Sequence, residues 1–137
     1  SPMNTKIFVN LAVKDLPKSM EFFGKLGYQF NAQFTDETAA CMVISEEIYT
    51  MLLTEEKFQS FIPNTICDAK KSTEVAVCLS TESRQEVDKL VETALAAGGT
   101  SWSEPQDYGF MYFRSFQDLD GHIWEYVHMD PAHVQST

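Results

Sequence analysis

At 137 residues, 44% of them hydrophobic, the chain is long enough for one domain with its own core and too short for two ordinary ones. With 20 acidic against 10 basic residues the formal net charge is −10, which repels phosphate backbones and anionic lipid, so no nucleic-acid or membrane partner is expected. The apolar runs fall far below the roughly 20 residues that span a bilayer, and no basic-then-apolar leader opens the chain.

The cysteines Cys41, Cys67 and Cys78 match no zinc or redox spacing, so a cytoplasmic protein with reduced, mostly buried thiols is expected. Ser1-Pro2 ahead of Met3 reads as a cloning remnant. Residues 6–13 form an apolar, β-branched run that predicts a strand, with Ile7, Val9, Leu11 and Val13 on one face and Phe8, Asn10 and Ala12 on the other. Pro17 just after Asp15-Leu16 starts a helix whose apolar stripe includes Leu16, Met20, Phe23 and Leu26, and Gly27 stops it. Strands are predicted over 28–34, 39–45 and 48–54, the last two joined by Glu46-Glu47. From residue 55 to 72 the pattern fades into a linker with a helical turn near 56–61 and a loop from Pro63-Asn64.

The alternation resumes at Glu74–Leu79, read as another strand. Ser83-Arg84-Gln85-Glu86 has the form of a capping box, and Val87, Leu90, Val91, Ala94 and Leu95 follow at the spacing of a core-facing helix ended by Gly98-Gly99. Further strands are predicted at 100–103, 110–116 and 122–129, the last launched by the tight-turn pair Asp120-Gly121. On that last strand Glu125 shares a face with Ile123 and Val127, and Trp124, Tyr126 and His128 share the other. An acid between apolar neighbours needs a cation, a donor or a proton.

The two halves repeat one order, β-α-β-β-β: a first module at 3–54, a linker at 55–72, a second module at 73–130 and a tail at 131–137, one domain overall. The fold class is α+β. A sheet with one covering helix leaves its other face bare, so the modules are expected to form a curved, trough-like mixed sheet with the helices outside. Phe8, Asn10 and Ala12, then Glu74, Ala76 and Cys78, and finally Glu125 would line the trough. Tyr112 and Arg114 share a strand face and so enter or leave the pocket together.

The opening Val13-Lys14-Asp15-Leu16, Ser19-Met20, Phe22-Phe23 and Leu26-Gly27-Tyr28, with the closing Phe116, Asp118, Asp120-Gly121-His122 and Trp124-Glu125, resembles the vicinal oxygen chelate superfamily. That group includes glyoxalase I, bleomycin and fosfomycin resistance proteins, and extradiol dioxygenases. The resemblance runs from Lys6 to Asp130. It implies a homodimer, a small-molecule ligand, and a divalent metal held by one residue from the first and one from the last strand of each module. Here those positions fall at Phe8, at Thr50 or Met51, at Glu74 and at Glu125, so only the two glutamates could ligate a hard ion. Glu74 and Glu125 are therefore the expected catalytic and metal residues, around an incomplete site. If they lie close without a cation, one should keep its proton and act as a general acid or base. Phe8, Asn10, Met51, Tyr112 and Arg114 are the expected ligand-pocket residues. The implied function is a lyase, isomerase or oxygenase on a small molecule, or else a metal-free sequestering protein of the bleomycin-resistance type. A structural alternative pairs Glu125 with a base such as Arg114 and puts Trp124 and Tyr126 in the core.

Overall fold

The computed structural model describes residues 4–133; Ser1-Pro2, the expected remnant, and the end of the expected tail lie outside them. Among the described residues no helix is long and apolar enough to cross a membrane. The chain divides into two compact units that meet at Ile66–Cys67, each a four-stranded mixed sheet with helices, as an α+β repeat requires.

In the first unit the strands are β1 (Ile7–Val13), β2 (Gln29–Phe30), β3 (Ala39–Val43) and β4 (Ile48–Thr54), in the order β1-β4-β3-β2. β1 and β4 run parallel, Asn10 opposite Met51 and Leu11 opposite Leu52. Between β1 and β2 comes α1 (Leu16–Lys25), with Pro in its first turn and Asp15 as N-cap. The Asp15 carboxylate accepts from the Lys18 N–H at 3.1 Å, which satisfies one of the free donors at the helix start. Leu16, Phe22 and Phe23 of α1, with Leu11, Val13, Ala40, Met42 and Leu52 of the sheet, are buried, so the helix-side face is the core. α2 (Glu55–Gln59) follows β4 directly, capped by the Thr54 hydroxyl, and packs on β1 and β4. The predicted linker therefore begins as part of the first unit.

The strand predicted over 28–34 is cut to two residues. Asn31 caps a 3-10 turn over Ala32–Phe34, its side-chain oxygen accepting from the Gln33 N–H at 3.0 Å. This local bond outcompetes the ladder, the usual effect of Asn near a strand end.

The second unit repeats the scheme with β5 (Ala76–Ser80), α3 (Arg84–Ala96), β6 (Gln106–Asp107), β7 (Met111–Gln117) and β8 (Ile123–Met129), in the order β5-β8-β7-β6. Ser83 Oγ accepts from the Glu86 N–H, and the Glu86 carboxylate reaches back to the Glu82 N–H, both at 3.1 Å. Val87, Val91 and Ala94 of α3 are buried with Phe116, Trp124 and Tyr126 of the sheet, so Trp124 and Tyr126 are core residues. The predicted strand at 100–103 is a single bridge, Thr100 to Gln117, and pairing resumes only at Gln106, opposite Phe113. Pro105, which lacks an N–H and restricts the residue before it, delays the strand by this distance.

The closing turn is built on one carboxylate. Asp118, 4% exposed, accepts from the Asp120 and His122 N–H groups at 2.9 and 3.0 Å and from Trp124 Nε1 at 2.9 Å. Burial pushes its pKa up, against the opposing pull of His122 and these hydrogen bonds. Gly121 takes φ 93°, the left-handed region that the turn needs.

Candidate functional site

Unit 1 presents a ring platform. On the sheet face opposite α1, Phe8 lies beside Tyr49 in register and the rings stack at 4.8 Å with their planes 10° apart. Phe8 remains 49% exposed, and the Lys6 ammonium sits 5.6 Å from the Tyr49 centroid. Asn10, exposed, and Met51, half-buried, follow two residues further along the same face. Beside Asn10 a cleft of about 400 Å3 is lined by Phe58, Phe61 and Ile62, which come from α2 and the turn after it. The structure thus brings together three expected pocket residues, Phe8, Asn10 and Met51. It adds Tyr49, Phe58, Phe61 and Ile62, whose approach depends on the parallel β1–β4 register and on where α2 folds.

Unit 2 presents a polar row. Glu125 on β8 lies opposite Cys78 on β5 and opposite Ser115 on β7, so three polar side chains cross one sheet face. Ser115 Oγ donates to Glu125 Oε2 at 3.3 Å. Although Cys78 is exposed overall, partial desolvation of its thiol by neighbouring atoms, then the charge of Glu125 and a hydrogen bond to it, push the thiol pKa up. Ile123 and Val127 flank Glu125 on its strand, and Phe113, two residues from Ser115, is in turn 6.2 Å from the Tyr108 ring.

Glu74 does not join this row. It is exposed in a bend two residues before β5 begins, and four residues separate it from Cys78, the partner of Glu125. At about 3.3 Å per extended residue, that puts Glu74 roughly 13 Å along the chain from the Cys78–Glu125 pair. The helix caps show why the register differs from the expectation. Phe8 stands seven residues before the N-cap Asp15 (15 − 8 = 7), and the residue seven before the N-cap Ser83 (83 − 7 = 76) is Ala76. Ala76, not Glu74, is the counterpart of Phe8, and the expected repulsion between two close carboxylates is absent.

Tyr112 and Arg114 leave the pocket together, as their shared face requires. They point to α3, where the Tyr112 hydroxyl donates to Asp88 at 2.5 Å and Arg114 bonds Asp88 at 3.1 Å and Glu92 at 2.6 Å. Arg114 is therefore no partner for Glu125. Burial and the bond to Asp88 push the Tyr112 pKa up. Next to them Arg84 forms a two-pronged pair with Asp107, both bonds 2.8 Å, and lies 5.0 Å from the Tyr112 ring centroid. Of the thiols only Cys41 is buried; Cys67 and Cys78 are exposed, because Cys67 sits in the loop ahead of β5 and Cys78 on a bare sheet face.

The donor set does not fit a hard divalent cation. Phe8 and Ala76 offer no ligand atom, Met51 offers only a soft thioether and Thr50 is turned into the core. Among the described residues no group of three or more His, Cys, Asp or Glu side chains could hold a metal ion.

Residues 5–45 match the family model described as bleomycin resistance protein-like N-terminal. No curated protein matches the sequence. Among solved structures, a hypothetical protein from S. aureus superposes with a TM-score of 0.77 at 29% identity, over 93% of this chain and 95% of that one. A glyoxalase-related enzyme from Fulvimarina pelagi gives 0.77 at 20% identity, over 92% and 88%. A glyoxalase/bleomycin resistance protein/dioxygenase family enzyme from Burkholderia phytofirmans gives 0.75 at 16%, over 89% and 96%. The opening residues thus resemble the bleomycin resistance protein-like N-terminal family, and over most of its length the chain shares the two-module fold of these glyoxalase-related and glyoxalase/bleomycin resistance protein/dioxygenase structures.

Proposed function

We propose that this protein binds a small molecule with a planar or aromatic body, without a metal ion, on the ring platform of the first unit. The observation that carries the reading is Phe8: a large apolar ring, half exposed, held flat on Tyr49, two residues along the strand from Asn10, which lines the cleft. A water-exposed stacked ring beside a concave apolar surface gains by covering its free face, at roughly 25 cal/mol per Å2 of apolar area removed from water. The Asn10 amide offers both a donor and an acceptor to orient the ligand. The net charge of −10 favours cationic over anionic ligands. This is the sequestering activity that the resemblance implied, and the positions at Phe8, Met51 and Ala76 support it over a metal-assisted lyase, isomerase or oxygenase.

Calorimetric titration of planar aromatic amines and their neutral isosteres, with and without EDTA, tests the reading. Binding that EDTA leaves unchanged and that Phe8→Ala weakens by about tenfold, the equivalent of roughly 1.4 kcal/mol, is the expected result. Dependence on an added divalent ion, or equal affinity of Phe8→Ala, would reject it. We infer a homodimer as well, supported by the exposed Trp102, Tyr108, Phe110 and Met129 of the second unit; the N–H of Asp130, next to Met129, donates to the Phe110 carbonyl at 2.7 Å. Sedimentation of the wild type and Phe110→Glu reads this directly: two subunits for the first and one for the second.

A further inference from the structure

Phe8, Asn10 and the cleft follow one another along the bare face of the first sheet. Phe8 and Asn10 stand two residues apart on β1, roughly 7 Å in an extended strand, and Asn10 is itself a wall of the cleft that Phe58, Phe61 and Ile62 complete. We propose, on the reading that the platform binds a planar ligand, that this ligand is built in two parts: a planar head on Phe8, joined through an amide-like link at Asn10 to an uncharged apolar arm in the cleft. The volume supports the division. At about 400 Å3 the cleft stands near the low end of the roughly 300–1,000 Å3 that pockets for whole drug-sized ligands span, so it takes an arm while the head stays on the ring.

The side chains around the cleft set the chemistry of that arm. Phe61 is 63% exposed, an apolar area that a neutral hydrocarbon arm would remove from water. The Lys57 ammonium, which is not part of the cleft lining, lies 5.4 Å from the Phe61 ring centroid. A second cation at the same ring would meet like charge, so any positive charge on the ligand belongs to the head. Glu55 and Glu56, exposed beside Lys57 on α2, repel an anionic arm in turn. Among the described residues no hydrogen bond engages the exposed Asn10 side chain, which leaves its N–H groups and its carbonyl oxygen for the link. An amide or urea answers both, because it carries one acceptor and at least one donor itself.

The probes are the N-methyl and N-(2-phenylethyl) amides of 9-aminoacridine-4-carboxylic acid, which share the planar head and the amide and differ only in the arm. By calorimetry the phenylethyl amide should bind the wild type about tenfold or more tighter than the methyl amide, the scale expected for burying one phenyl ring. Phe61→Ala, a change outside the core, should bring the ratio of the two dissociation constants close to one. Phe8→Ala should weaken both probes and keep the ratio. Intermolecular NOEs from the arm's phenyl protons to the Ile62 methyl groups should accompany the tighter binding. A wild-type ratio near one, or a tenfold ratio that persists in Phe61→Ala, would overturn the arm; if Phe8→Ala still weakens both probes, the platform reading stands without it. Binding of both probes that Phe8→Ala leaves as tight as in the wild type would overturn the platform reading and the arm together.

Discussion

At Gly121 one hydrogen atom decides whether the closing turn can form. A Cβ there would lie 2.7 Å from Lys70 Cγ, 2.8 Å from the Lys70 nitrogen and 2.9 Å from the Ala69 carbonyl carbon, at φ +93°. Two of the three obstacles are backbone, so Gly121→Ala should cost about 2 kcal/mol or more in urea unfolding. Gly109, also left-handed but with open space around it, supplies the comparison: Gly109→Ala should cost only about 1 kcal/mol, the conformational part alone. Thr50 makes the opposite case. Its hydroxyl is fully buried and finds no hydrogen-bond partner among the described residues. Thr50→Val, which removes that hydroxyl at nearly constant volume, should therefore raise stability by about 1 kcal/mol in the same assay. The glycine turn could be read from the dipeptide Asp120-Gly121, because positive φ is a local demand. The unsatisfied hydroxyl could not, since burial of Thr50 depends on the packing of α1 over the sheet.

Between elements, the charged network that fastens α3 to β6 and β7 is the feature most open to pH. Arg84, paired at 2.8 Å through both prongs, holds the Asp107 carboxyl well below the usual carboxylate range, with a further bond from the Gly109 N–H. A depressed folded-state pKa stabilises the fold above the unfolded-state value, and that contribution fades as pH falls through the folded-state value. The stability gap between wild type and Asp107→Asn should thus be largest near neutrality and shrink as pH drops below the ordinary aspartate range. Thermal unfolding of both proteins across acid pH is the check; a gap independent of pH would contradict it. The pairing of Tyr112 with Arg114 on one face was legible from period two. That this face looks toward α3 was not, because alternation says which residues go together and not which side is covered. A slip of two residues likewise separates Glu74 from its expected place, since two residues along a strand preserve the face but change the partner.

For the whole molecule the dominant quantity is charge, and it reaches the ligand through the solvent. If a planar cation is held on the ring platform of a protein carrying −10, its dissociation constant should rise with salt between 0.05 and 0.5 M, roughly the range over which the screening length shrinks below the size of the protein. A neutral isostere of the same shape should show little change. Calorimetry with the matched pair separates electrostatic attraction from ring stacking. The repeat, the two long helices, the cap at Ser83 and the two-module fold were all within reach of the sequence, because hydrophobic period, capping chemistry and turn residues are local properties that a short window carries. Tertiary structure alone decided that Phe8 stacks on Tyr49, that Cys78 and Ser115 flank Glu125, and that Glu74 stands apart. Those facts depend on strand register and on which sheet face a helix covers, and these are settled by contacts between residues far apart in the chain.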